Sequence, residues 1–567
     1  MEKFATVDYI IFVIYFFVVA GYGYWIYRKK TSAHNSSKDY FLAEGSLTWW
    51  AIGSSLIASN ISAEQFIGMS GNGFEVGIAV AAYEVIAAVA LIIVAVWFIP
   101  VYLKNKIFTM PQFLNNRYNE TTSLIMAIFW LFLYVFVNLT SILYLGAIAI
   151  SSLAGGGADT FHMICIVLSI FAIIITLGGM RVIGFTDVIQ VVVLVIGGIA
   201  TTYVALTLVS EHFGLGQNAL AGFNKLMSNA PEHFTMMVEK PGPNATQAEI
   251  NKYLMLPGIG MYLAGIWIVN LNYWGCNQYI TQRALGADLK TARTGILFAG
   301  LMKIFMPIIV MLPGIAAYVL YKNGALQEEM APGGVFHADN AYSAILGYLP
   351  NGMKGLALAA LTAAIVAGLA GKANSIATIF TLDVYKKYLN KEASEGKMVW
   401  VGKLTIIISI IVAVLFTWND TLGIGGAGGF TFIQKYTGFI SPGVFAMFLL
   451  GMFWKRTTGA AAISGLIVGF ALSVFFNEFA TKVFGHETLI YTAYLNKDGV
   501  YEIPFQICMG LAFAFTMVLM IVVSLFGEKV NAKAFKLDRA MFKVEPSILA
   551  IIVITLLLVT AIYVRFW

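Results

Sequence analysis

The sequence predicts an all-α polytopic membrane protein with fourteen transmembrane helices. Three observations carry that expectation. Of 567 residues, 59% are hydrophobic and 11% charged, with a mean hydropathy of +0.81, whereas soluble domains lie near about 48% apolar and about 25% charged. Apolar runs of about 20 residues, enough to cross a bilayer, recur along the whole chain. Basic residues collect in alternate connections between those runs, as they do when one set of loops faces the cytoplasm.

The runs fall at 8–27, 47–72, 78–102, 121–151, 160–178, 183–209, 258–281, 293–320, 352–384, 399–418, 427–453, 458–478, 503–527 and 546–566. The first is too long for a signal-peptide core and lacks a small-residue cleavage site, so it reads as a retained span. One set of connections carries 22 Lys and Arg, from Arg28, Lys29 and Lys30 through Arg117, Arg283 and Arg293 to Lys543. The other set, with both termini, carries nine. The bias places a multi-pass protein in a cell (inner) membrane, with both termini extracellular or periplasmic. The surplus of basic residues therefore needs no nucleic-acid partner. Cys165, Cys276 and Cys508 match neither a disulfide framework nor a metal spacing.

Two spans are poor continuous helices. In 53–73, GSSLIASNISAEQFIGMSGNG, polar residues crowd the midpoint. In 265–279, GIWIVNLNYWGCNQY, Asn270, Asn272, Gly275 and Asn277 interrupt an aromatic run. They open two five-helix blocks, 47–209 and 258–453, which the charge bias orients oppositely. Segment 1–46 then supplies an extra N-terminal helix and the first cytoplasmic loop, and 454–567 three extra C-terminal helices. Paired breaks in inverted halves point to a transporter's midplane site; polar patches that merely join helices are the competing explanation. The extracellular loops 210–257 and 479–502 offer no legible chemistry.

Ionisable groups inside a bilayer are costly and default to functional candidates. Glu84 in AAYEVIAAV, Lys303 in FAGLMKIFMP, Asp187 in GFTDVIQVV and Gln434 in FTFIQKYTG stand out. With Tyr83, Tyr273 and Phe430 they suit a sugar: amides and charged groups hydrogen-bond hydroxyls, and aromatic faces stack on the C–H surfaces of the ring. Any one of them bonding only to neighbouring helices remains the alternative.

Six stretches carry a family resemblance: SLIASNISAEQFIGMSGNG, NLTSILYLG at 138–146, TDVIQV at 186–191, NYWGCNQYITQR at 272–283, LPGIAAYV at 312–319 and NSIATIFTLDVYKKY at 374–388. The chain resembles the solute:sodium symporter family over nearly its whole length, most of all its bacterial sodium/galactose and sodium/glucose branch. The resemblance implies a leucine-transporter-type core of two inverted five-helix repeats whose first and sixth helices are discontinuous. It further implies a monosaccharide held by Gln65, Glu84, Asn270, Lys303 and Gln434. Met69, Tyr83 and Phe430 would form an outer lid and Tyr273 an inner one. Val85 stands where the branch usually has Trp, and Ala87 at a Ser-or-Ala position, which bears on sugar selectivity.

The resemblance also implies a sodium site made by the carbonyls of Ala58, Ile61 and Ala364 with two hydroxyl side chains. Those two positions here are Ala367 and Gly368, which have none. Losing two of about five oxygens weakens a hard-cation site. The stretch IVAGLAGKANS, 365–375, instead places Lys372 one helical turn beyond Gly368. Its side chain leans back along the helix, over the room that Gly368 is expected to leave, with Asp187, near the family's sodium exit path, as counter-charge. Lys372 then reads as a tethered cation in place of sodium, and transport as sodium-independent uniport or proton coupling. The alternatives are a snorkelling lysine beside a weakened but usable sodium site, or a sodium symporter of another small solute such as proline or sialic acid. No HExxH, GxSxG or phosphate-loop pattern argues for an enzyme. A sensor or channel on this scaffold would bind without saturable counterflow. The expected partners are the bilayer and the monosaccharide, with no cofactor and no obligate protein partner.

Overall fold

The computed structural model describes residues 4–28, 37–43, 47–62, 64–153, 158–331, 334, 336–424 and 429–567. Expectations resting on Lys29 and Lys30 lie outside the described residues. The main helices are α1 (Thr6–Arg28), α2 (Trp49–Asn60), α3 (Met69–Glu75), α4 (Ala82–Ile93), α5 (Glu120–Phe132), α6 (Thr140–Leu153), α7 (Ala158–Thr176) and α8 (Met180–His212). After the connection that follows α8 come α9 (Gly258–Leu263), α10 (Gly265–Cys276), α11 (Gln278–Leu285), α12 (Leu289–Val310), α13 (Leu312–Lys322) and α14 (Met353–Thr378). The chain closes with α15 (Glu395–Thr417), α16 (Gly429–Phe453), α17 (Gly459–Val474), α18 (Phe505–Leu525) and α19 (Pro546–Phe566). Strands β1 (Tyr494–Leu495) and β2 (Tyr501–Glu502) pair antiparallel just before α18.

Among the described residues, 12 helices are long and apolar enough to cross a membrane, and a thirteenth span results if a pair bent by 80° at Ala264 is counted as one. The protein is thus a multi-pass membrane protein. The stretch expected to complete fourteen, 47–72, is divided into helices of 12 and 7 residues joined by a π-helical turn, Glu64–Gly68. At the first break the Ser62 amide, which a continued helix would aim at Ala58, turns to the Asn60 carbonyl at 3.0 Å. The second break is narrower than the sequence suggests. Asn270, Asn272 and Gly275 stay helical, and the ladder stops at Asn277, which is extended at φ −97° and ψ 127°.

Small residues bring the helices close. A Cβ on Gly53 of α2 would lie 2.7 Å from the Gly295 carbonyl of α12, and one on Gly295 would lie 2.8 Å from the Trp49 carbonyl. This backbone-to-backbone crossing is how helices gain contact area in a solvent that gives no hydrophobic drive. Nearly every residue of α14 is enclosed by protein. Its N-terminus is held by α1, because the buried Asp8 carboxylate accepts from the amides of Gly352 and Gly355 at 2.7 and 2.8 Å, where the helix dipole favours negative charge. Large apolar side chains on α1, α7, α15 and α19 point outward, as lipid requires.

Three arginines assigned to cytoplasmic loops prove to be buried. Arg117 donates to the Gly451 and Trp454 carbonyls, Arg293 to that of Ala95, and Arg283 lies inside the bundle. They staple helix ends together instead of facing lipid headgroups.

The loop 210–257 also reaches the core. His233 Nε2 lies 3.0 Å from the Phe74 carbonyl at the C-terminal end of α3, and its ring stacks on Tyr318 at 3.9 Å. Burial, and then the charge of Lys252, push its pKa down to about 4, against the opposing pull of Glu232. Because the unfolded value is near 6.5, the neutral ring's contribution to stability is complete above pH 6.5. It declines as the pH falls from there through 4. Thermal unfolding of the purified protein across pH 7.5 to 4 is expected to show that decline, and His233→Gln to flatten it.

Candidate functional site

The two breaks face one polar cavity. Its wall includes Gln65, just past the first break, Glu84 of α4, Asn270 of α10, Lys303 of α12 and Gln434 of α16. Tyr83, Tyr273 and Phe430 line it as well, and so does Lys372. Met69 is buried in the π-turn region and does not reach the wall. Asn60, Asn138, Trp274, Asn277 and Tyr279 complete much of the lining. Of these, Asn60 and Asn277 sit in the polar interruptions and Asn138 in the NLTSILYLG stretch, so a sequence signal existed for each.

The centre of the site is an ion pair. Lys303 and Glu84, 1% and 3% exposed, are in direct contact, and the same ammonium donates to Asn60 Oδ1. Lys303 also lies 5.5 Å from the Trp274 ring centroid. Asn60 Nδ2 in turn donates to the Tyr273 hydroxyl at 2.9 Å. One chain of polar contacts therefore joins α4, α12, the end of α2 and α10. It leaves Gln65 and Gln434 to face the cavity from other sides, while Asn270 Nδ2 bonds the Ile266 carbonyl one turn earlier at 2.9 Å.

Two aromatic rings of the lining are in contact. Tyr83 and Phe430 meet edge-to-face at 5.2 Å. At the second break, tyrosines satisfy the backbone freed at Asn277. Tyr102 donates to the Gly275 carbonyl at 2.6 Å, and the Tyr134 hydroxyl accepts the Gln278 amide at 3.2 Å while donating to Asn277. Polar backbone can remain unpaired to its helix at membrane depth only with such replacement partners.

The structure corrects two expectations about Lys372. Gly368 leaves no open room: a Cβ there would stand 2.7 Å from Ser62 Cβ and 3.4 Å from Ile142 Cδ1. The Lys372 ammonium instead reaches across to α11, 4.9 Å from the Tyr279 ring centroid. Asp187 also has a different cationic neighbour. Ser55 donates to its Oδ2 at 2.5 Å, and the Arg283 guanidinium lies 4.0 Å from the same oxygen. Arg283 donates further to Ser55 at 2.7 Å, to Ser59 and to the Tyr279 carbonyl. This cluster, absent from the sequence reading, joins α2, α8 and α11 on the side of the cavity where Tyr279 stands. Gly371 of α14 makes room for it, since a Cβ there would collide with Arg283 Nη2. Ala58, Ile61, Ala364 and Ala367 are buried and do not line the cavity.

The profile described as "SSF: Sodium:solute symporter family" matches residues 40–469. The chain is 41% identical over 495 residues to a protein named sodium/glucose cotransporter from Vibrio parahaemolyticus, covering 86% of this chain and 88% of that one. It is 31% identical over 478 residues to sodium/myo-inositol cotransporter 2 of Mus musculus, covering 82% and 69% respectively. In fold it resembles a solved structure described as the substrate-bound, outward-open state of a Na+-coupled sialic acid symporter. That match has a TM-score of 0.75 at 19% identity, over 93% of this chain and all of the other.

The buried pair makes a separable prediction. Removing one member strands a charge, at a cost of about 3 kcal/mol or more. Lys303→Met is therefore expected to lower the thermal unfolding midpoint in detergent markedly. The double variant Glu84→Gln/Lys303→Met is expected to recover most of the loss. Equal losses in the single and double variants would contradict the pairing.

Proposed function

The chain belongs to the sodium:solute symporter family, and from that premise we propose that it carries a monosaccharide of the galactose or glucose type across the membrane by alternating access. It is a transporter and not an enzyme. The observation that carries the sugar reading is the convergence of Gln65, Glu84, Asn270, Lys303 and Gln434 on one cavity, with Tyr83, Tyr273 and Phe430 beside them. A hexose offers hydroxyls that both donate and accept. Amides serve both needs, a carboxylate accepts from them and an ammonium donates to them. In this reading Tyr83 and Phe430 close the cavity on one side and Tyr273 on the other. The names of the bacterial and mouse relatives agree with a polyhydroxylated substrate.

The same proposal extends to architecture. Fourteen spans result when 47–72 and 258–281 are each counted as one broken span, and two inverted five-helix repeats follow with both termini outside. Twelve long helices, one bent pair and the paired breaks support that count.

For the coupling ion, we propose that Lys372 supplies a built-in positive charge, so that transport does not require sodium. Two features support this. Ala367 and Gly368 bring no hydroxyl to the region of Ala58, Ile61 and Ala364. Lys372 is buried and borders the cavity beside the second break. The second reading, a sodium-coupled sugar symporter with a weakened ion site, draws on the family as a whole.

Uptake of labelled galactose or glucose into proteoliposomes separates the two. The expected result is saturable uptake that persists when choline replaces sodium, with a loss on Lys372→Ala. Uptake that vanishes without a sodium gradient would assign the second reading, and a competition panel including proline and sialic acid fixes the solute class.

A further inference from the structure

Outside the cavity, one short segment touches three of the elements that build its upper wall. Gln506, in the first turn of α18, is fully buried and donates through Nε2 to the Tyr83 hydroxyl at 2.5 Å. Its main chain and side chain press on the start of α10, where a Cβ on Gly265 would collide with Gln506 Oε1 and come within 2.6 Å of its carbonyl. Four residues earlier, Glu502 of β2 pairs with Lys435 of α16 at 3.1 Å. Lys435 directly follows Gln434 and lies little more than a turn from Phe430. Glu502 is itself oriented by the side-chain amide of Asn496 across the β1–β2 hairpin, at 3.2 Å. The segment 502–506 therefore contacts α4 through Tyr83, α10 through Gly265 and α16 through Lys435.

We propose that this segment is an external strap on the cavity's aromatic closure. Gln506 acts as the positioning residue that holds Tyr83 against Phe430, and Glu502–Lys435 fixes α16 at the matching height. The proposal rests on reading Tyr83 and Phe430 as a lid. The physical argument is one of degrees of freedom. A tyrosine on α4 can swing about two side-chain torsions, and its edge-to-face contact with Phe430 at 5.2 Å holds it only weakly. A buried hydrogen bond from a side chain wedged against a glycine backbone removes that freedom. It does so from a helix that lies beyond the two five-helix blocks. Opening the closure then requires either that the Gln506–Tyr83 bond break or that α18 move with α4. The half-exposed Glu502–Lys435 pair adds less to stability but fixes register, because it sets the hairpin, and thus the entry of α18, against α16.

The test reads lid position without needing the solute. Thr437 lines the cavity, and the native cysteines Cys165, Cys276 and Cys508 are buried. Thr437→Cys is labelled with a membrane-impermeant thiol reagent applied from the face carrying the hairpin. Gln506→Leu is expected to raise the labelling rate about fivefold, the weight of one buried hydrogen bond. Tyr83→Phe should raise it equally, and the double variant no further. Glu502→Gln, at a half-exposed site that leaves folding intact, should raise it less, and the charge swap Lys435→Glu/Glu502→Lys should restore the original rate. An unchanged rate in Gln506→Leu, or effects of Gln506→Leu and Tyr83→Phe that multiply, would overturn the strap. If Gln506→Leu does not fold, an unchanged rate in Glu502→Gln overturns it. Because no sugar is involved, loss of sugar binding with the labelling pattern intact would count against the substrate assignment alone.

Discussion

The architecture depends on one buried ammonium. Lys303 lies at membrane depth, where an unpaired charge is expensive, and its partners decide where four elements must sit. Glu84 brings α4 to it, and Asn60 brings the end of α2. Asn60 then passes the constraint to Tyr273 on α10. Each broken helix therefore has a side chain tied to the same charge, and the cavity is the space that arrangement leaves. A purely apolar core could pack as densely, but it would not specify which ends of which half-helices meet.

The breaks themselves are made tolerable by specific replacement partners. The first relieves its ladder by a local turn at Asn60–Ser62 and a π-helical segment, and the second by Tyr102 and Tyr134. Glycines then allow the approach that these partners require. Gly295 lets α12 reach α2, Gly371 lets the Arg283 guanidinium pass α14, and Gly368 lets Ser62 touch α14. The stretch that holds Lys372 thus has two glycines for two different neighbours. A bulkier residue at either would push α14 away from the break and shift Lys372 with it.

How much of this was legible in the sequence follows from what each signal measures. Hydropathy measures burial in lipid, so the long spans were readable, and the two polar interruptions located the breaks to within a few residues. Asn270 and Asn272 misled about the extent of the second break because amide side chains can bond within a helix, as Asn270 does with Ile266. The charge bias counted Arg117, Arg283 and Arg293 as loop residues; nothing in a one-dimensional pattern separates a solvated arginine from one that folds back to staple carbonyls. The spacing of Lys372 from Gly368 suggested open room along that face, yet the occupant of the space over Gly368 was Ser62, from a segment some 300 residues away. Asp187 was read as the counter-charge of Lys372 for the same reason, since its neighbours Ser55 and Arg283 are distant in the chain. The loops that seemed empty, 210–257 and 479–502, contribute His233 and Glu502, whose roles exist only through contacts with Phe74 and Lys435.

If the cavity around Lys303 recognises a hexose without an accompanying sodium ion, hexose affinity does not depend on the cation in solution. Equilibrium binding of radiolabelled galactose and glucose to the purified protein is measured in sodium chloride and in choline chloride. Saturable binding of similar affinity is expected in both media, abolished by Gln434→Ala. Absence of saturable hexose binding in either medium would contradict the substrate, and binding confined to sodium chloride would contradict the role given to Lys372.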